Sequence, residues 1–139
     1  MAAGSTQAAP VSMRVPFTAS SVSVARRGLR TWLREMGGTS EQVEDARVVI
    51  SELVANAVRH AQPLPDGTLL ITWRVERRGV EVAVTDGGGS TLPRKMHAPS
   101  SAVAGRGISI VDTLSLAWWA ERTPARSTVH AVLALARPR

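Results

Sequence analysis

The stretch between Thr39 and Pro63 limits the fold more than any other part of the chain, because its spacing admits only a long helix. Val43, Ala46, Ile50, Leu53 and Ala57 recur at three- and four-residue steps, the pattern of one buried helix face. Glu52, Asn56 and His60 recur every four residues. At 3.6 residues per turn, such a step rotates the side chain by only about 40°. The three polar groups therefore share a second stripe, and it adjoins the apolar stripe. Solvated polar residues more often lie opposite the core. A carboxylate, an amide and an imidazole flanking it suggest the wall of a pocket for something anionic or metal-bound.

A chain of 139 residues has the size of one ordinary domain and buries a real core. The balance of 44% hydrophobic and 20% charged residues is that of a globular protein. The absence of cysteine excludes a disulfide framework, a thiolate zinc site and a cysteine nucleophile. No apolar run reaches the length of about 18 residues that spans a membrane. The first residues lack the basic-then-apolar order of a secretion signal, so a cytoplasmic location is expected. The net charge of +6 comes almost wholly from scattered arginines, Lys95 being the only lysine. With one phenylalanine and no tyrosine, direct nucleic-acid binding is not favoured.

Residues 1–13, rich in Ala, Ser, Gly and Pro, read as a disordered lead-in, and residues 14–139 as a single domain. Arg14 to Thr18 is compatible with an edge strand, since Pro16 excludes a central one. Ser20 or Ser21 caps a helix carrying Val24, Leu29, Trp32, Leu33 and Met36, ended by Gly37-Gly38. Thr39 with Gln42 three residues on is a capping-box signature for the next helix. Leu69 to Val75 and Gly79 to Thr85 alternate as hairpin partners. Gly87 to Ala104 has no periodicity and reads as a lid or disordered loop. A short helix follows Gly107, with Ile108, Val111 and Leu114 on one face, and strands Leu116 to Glu121 and Thr128 to Ala136 close the chain.

Three segments combine chemically. Asp86 ends a strand with three glycines behind it, and glycine permits close approach of a flat ligand to the backbone. A carboxylate there accepts from an exocyclic amino group such as that of adenine, although an Asp-Gly turn alone is simply a turn. Gly105-Arg106-Gly107 opens a helix, whose free N–H groups suit phosphate. Asn56 offers the hard oxygen that Mg²⁺ prefers, and Glu52 one turn away is placed to orient or deprotonate a hydroxyl attacking a γ-phosphate. His60, near a helix end, more naturally caps carbonyls than binds metal.

The order Glu-x-x-x-Asn-Ala-x-x-His, then Asp-x-Gly after a strand, then Gly-x-Gly before a helix resembles the GHKL ATP-binding superfamily. The forms Asn-Ala-Val-Arg-His-Ala and Gly-Arg-Gly-Ile-Ser-Ile-Val look most like its anti-sigma-factor serine/threonine kinase branch. The resemblance covers about residues 14 to 137. It implies an α/β sandwich: a mixed, mostly antiparallel sheet with helices packed on one face. It further implies Glu52 as catalytic base, Asn56 as Mg²⁺ ligand, and Asp86 with Gly88 at the adenine. Gly105, Arg106 and Gly107 would lie at the phosphate end of the lid, with Ser127 or Thr128 near the adenine. Two positions depart from the family pattern: Ser90 replaces its second lid glycine, and Gln62 replaces the aromatic residue common after His-Ala.

The function so implied is that of an ATP- and Mg²⁺-dependent protein kinase acting as an anti-sigma factor. It would phosphorylate a serine or threonine of an antagonist (STAS-type) protein and sequester a sigma factor, in a form compatible with a homodimer. The alternative is a non-catalytic, nucleotide-sensing binding module. The catalytic half of a histidine kinase fits less well, because no dimerising helix pair with an acceptor histidine precedes the motif helix.

Overall fold

The computed structural model describes residues 9–89 and 105–135, with residues 105–108 described through their backbone alone. In chain order the elements are β1 (Val11–Pro16), α1 (Ser21–Glu35), α2 (Ser40–His60), β2 (Thr68–Glu76) and β3 (Gly79–Asp86). They continue with α3 (Gly105–Leu114), β4 (Ala117–Arg122) and β5 (Ser127–Ala134). The five strands form one sheet in the order β1-β2-β3-β5-β4. Every pairing in it is antiparallel. This is the expected α/β sandwich, its described strands being antiparallel throughout rather than mixed.

The sheet's alternation determines which layer each side chain joins. Val15, Leu69, Ile71, Trp73, Val80, Val82, Val84, Ala131, Leu133 and Trp118 point to one side and are buried with the helices. From α1 that core takes Ala25, Leu29 and Leu33, and from α2 the stripe Val43, Ala46, Ile50, Leu53 and Ala57 together with Val49 and Val54. α1 lies along α2, while α2 also rests on β3, β5 and α3. The long helix thus sits at the centre of the packed layer. Its start is secured by the capping box: Thr39 accepts from the Gln42 N–H at 3.1 Å, and Gln42 accepts from the Thr39 N–H at 3.0 Å. α1 closes through Gly38, whose N–H reaches the Leu33 carbonyl at 2.8 Å.

The other side of the sheet carries a polar lattice. On β5, His130 has its two ring nitrogens 2.8 Å from Glu81 on β3 and 2.9 Å from Glu121 on β4. Its ring is stacked on Trp119 with centroids 4.7 Å apart. Arg74 on β2 extends the lattice to Glu81 at 3.1 Å.

Several boundaries differ from those read in the sequence. Val11 to Met13, assigned to the lead-in from composition, pair with Trp73, Thr72 and Ile71 as the first half of β1. Alternation in so short a run carries little signal, and the partner strand supplies what local composition does not. Pro16 does end an edge strand. α3 begins at Gly105, so the glycine pair forms its first turn instead of preceding it. The proposed lid, Ser90 to Ala104, lies outside the described residues, as do residues 1–8.

Candidate functional site

α2 positions Glu52 and Asn56 by simple helical geometry. Both are half-buried, on the flank between the core stripe and solvent. Neither side chain makes a hydrogen bond or ion pair to another described residue. By contrast, Ser51 between them returns its hydroxyl to the Arg47 carbonyl at 2.6 Å. A carboxylate and an amide kept partly from water without internal partners are available to a ligand. His60, one turn further, is exposed and is not brought into this position.

Asp86 is the other anchor. It is only 5% exposed although it ends a strand. One carboxylate oxygen accepts from the Gly88 N–H at 2.7 Å. The other is 3.5 Å from the Ser127 hydroxyl, which donates to it across the β3–β5 pairing. Burial pushes this carboxyl above the usual carboxylate range, against the Gly88 N–H, the Ser127 hydroxyl and the Arg122 charge, all of which pull it down. An acid buried with so few compensating bonds is poorly served by the protein alone.

Register separates the two β5 candidates. Ser127 faces Asp86, whereas Thr128 points to the opposite side of the sheet and shares a hydrogen bond with Thr85 at 2.8 Å. Of the pair, the structure brings only Ser127 to the Asp86 carboxylate. A side-chain period of two makes adjacent residues face opposite ways, a distinction that strand residues of similar chemistry do not reveal in sequence.

The turn after Asp86 is held from two directions. Gly87 donates its N–H to the Gln62 carbonyl at 2.7 Å, and Gln62 donates its N–H to the Gly88 carbonyl at 2.8 Å. Gly88, at φ +90°, lies against the β4–β5 turn, where an added Cβ would come 3.4 Å from the Pro124 carbonyl oxygen. The glycines after Asp86 were legible beforehand as a permissive turn. The Gln62 bonds are backbone to backbone and leave no side-chain signature. Arg122, whose charge reaches Asp86, was also missed, because it lies 36 positions away from Asp86 in the numbering and meets it only through the sheet.

This geometry has known counterparts. Residues 15–133 match the family model described as the histidine kinase-like ATPase domain. The chain belongs to that family. Among curated relatives it is similar to the serine-protein kinase RsbW of Staphylococcus aureus strain bovine RF122 / ET3-1. The identity is 33% over 82 residues, or 58% of this chain and 52% of the relative. RsbW of strain Newman likewise matches at 33% over 82 residues, with 58% of this chain and 52% of that relative covered. The match thus spans about half the length of these relatives. Among solved structures, the RsbU and RsbW domains of Rv1364c from Mycobacterium tuberculosis superpose with a TM-score of 0.71 at 22% identity. That alignment covers 94% of this chain and 34% of the other, a likeness of fold.

Within this ATPase domain, Gly105, Arg106 and Gly107 make the first turn of α3, where backbone N–H groups have no partner inside the helix. α3 packs on α2, which carries Glu52 and Asn56. The Arg106 side chain lies outside the described residues. For a metal, the donor set is lean. Among the described residues no three His, Asp or Glu side chains converge. Mg²⁺ keeps waters and substrate phosphates and needs few protein oxygens. The half-buried amide of Asn56 is such an oxygen. Among the described residues no helix is long and apolar enough to cross a membrane.

Proposed function

We propose that this chain binds Mg-ATP between α2 and the Asp86 turn and transfers the γ-phosphoryl group to a serine or threonine of a protein partner. The observation that carries the reading is Asp86, a carboxyl buried at a strand end, one of whose oxygens accepts from Ser127 across a long 3.5 Å contact. An adenine amino group supplies a second donor to this buried oxygen, beside the long contact from Ser127. Gly88 leaves room for the flat base. Asn56 contributes its amide oxygen to Mg²⁺, which when bound neutralises phosphate charge and lowers the barrier to attack at phosphorus. Glu52 accepts the proton of the attacking hydroxyl as its oxygen bonds to the γ-phosphorus and ADP leaves. The N–H groups of Gly105, Arg106 and Gly107 face the phosphates at the start of α3.

Similarity to RsbW serine-protein kinases supports an anti-sigma role, in which the partners are an antagonist of STAS type and a sigma factor. The protein would then work in the cytoplasm without contacting nucleic acid, and as a homodimer. The test is incubation of the purified chain with γ-labelled ATP, Mg²⁺ and an antagonist protein co-purified from the source cells. Label on a serine or threonine of the antagonist is expected. Tight ATP binding with no label on any partner would instead establish a nucleotide-sensing binding module.

A further inference from the structure

The two anchors of the site belong to different elements, and one short contact joins them. Gln62 stands two residues beyond the end of α2, the helix bearing Glu52 and Asn56. Its carbonyl and N–H bond the backbone of Gly87 and Gly88 at 2.7 and 2.8 Å, immediately after Asp86. A Cβ on Gly87 would stand 2.0 Å from the Pro63 carbonyl oxygen and 2.7 Å from its carbon. Since real Cβ atoms essentially never approach closer than 3.0 Å, any side chain there pushes the segments apart by about 1 Å. On its other side a Cβ on Gly88 would touch the backbone of Pro124 to Arg126, so the β4–β5 turn opposes a retreat of this turn in that direction.

We infer that the Gln62–Pro63 segment and Gly87 form a positioning brace that sets the spacing between the adenine carboxylate and the phosphate-handling face of α2. If these are the two ends of one nucleotide site, as proposed above, the brace is the caliper between them. Adenine recognition depends on Asp86 and its turn alone. Capture of the phosphates through Asn56 and Mg²⁺ depends on where α2 stands relative to that turn. The brace acts through other residues and touches no reacting atom. Its signature is therefore a change in the relation between nucleoside and nucleotide binding, which a simple loss of folding would not give. Here the main chain fixes the spacing, independent of the Gln62 side chain, which is exposed.

The experiment compares wild type with Gly87→Ala by calorimetry, using adenosine, ATP with EDTA, and ATP with Mg²⁺. Wild type should bind adenosine and gain affinity from Mg²⁺-bound phosphates. Gly87→Ala should change adenosine affinity less than about threefold while the Mg²⁺-dependent gain falls about tenfold or more, because displacements near 1 Å are costly for positioned groups. An undiminished Mg²⁺ gain overturns the brace, and so does a proportional loss of all three affinities, which would make Gly87 merely structural. Wild type that binds neither adenosine nor ATP overturns the nucleotide reading itself, a distinct result. Should Gly87→Ala fail to fold, amide hydrogen exchange on the unliganded wild type decides. The Gln62 and Gly87 amides should exchange as slowly as those of central β3, and exchange at the rate of an open loop overturns the proposal.

Discussion

Replacing Asp86 by Asn separates the cost of the site from its benefit. The Asp86 carboxylate has two oxygens, one bonded to the Gly88 N–H at 2.7 Å and the other beside Ser127. Asn retains a single acceptor. If its oxygen keeps the Gly88 bond, its amino group faces the amino group of adenine, and two donors oppose each other. If the amide turns over, the Gly88 N–H is left against a donor in a buried place. Either way one hydrogen bond to a charged group is lost, worth about 1.5–3 kcal/mol, which corresponds to roughly ten- to a hundredfold weaker ATP binding. The unliganded protein should respond in the opposite sense. Burial raises the Asp86 carboxyl above its ordinary range, so the folded state holds that proton more tightly than the unfolded chain does. Its favourable contribution is complete below the unfolded value and is lost as pH rises through the raised folded value. Asn never ionises and escapes this loss. The variant should therefore be more stable than wild type at pH 7, with the difference shrinking as pH falls toward the ordinary aspartate value of about 3.9. Urea titrations across pH, paired with ATP calorimetry, measure both effects. Undiminished ATP affinity would remove Asp86 from the adenine contact, and a variant less stable than wild type at pH 7 would refute the electrostatic reasoning.

Asn56→Ala should weaken Mg-ATP binding by about 1–2 kcal/mol, a bond to a charged partner being lost, while ATP affinity in EDTA stays put; calorimetry in both buffers checks this. Glu52→Gln keeps shape and loses the carboxylate, so binding should persist as phosphoryl transfer falls about a hundredfold or more, read by label on the antagonist. Thr39→Ala breaks the capping box at the start of α2 and should cost about 1 kcal/mol of stability, seen as a lower urea midpoint with unchanged slope. Ile50→Ala, at a fully buried position, should cost about 2–5 kcal/mol, a loss large enough to distinguish core packing from capping in the same assay.

What was legible in the sequence follows from the range over which each signal acts. The α2 stripe, the Thr39–Gln42 box and the β2–β3 hairpin are set by residues within a few positions of one another, and the structure reproduces them. The pairing of β3 with β5 joins segments 41 positions apart at Asp86 and Ser127, and no local pattern announces it. The choice between Ser127 and Thr128 turned on one residue of register. The start of β1 depended on a partner strand, and the Gln62 bonds on main-chain atoms that every residue carries. The candidate residue types were therefore readable in the sequence, while the contacts that hold Asp86 and its turn in place had to be seen.

The strand order has a consequence during synthesis. When β3 has just emerged, Asp86 stands at the end of an edge strand, open to water, with neither Ser127 nor the β4–β5 turn beside it. Its burial waits for β5, the last of the described elements in chain order, which inserts between β3 and β4. Contacts so distant in the chain form late, after their loop-closure cost has been met. If Asp86 is the adenine carboxylate proposed above, that end of the site closes only once the β4–β5 hairpin has docked on β3.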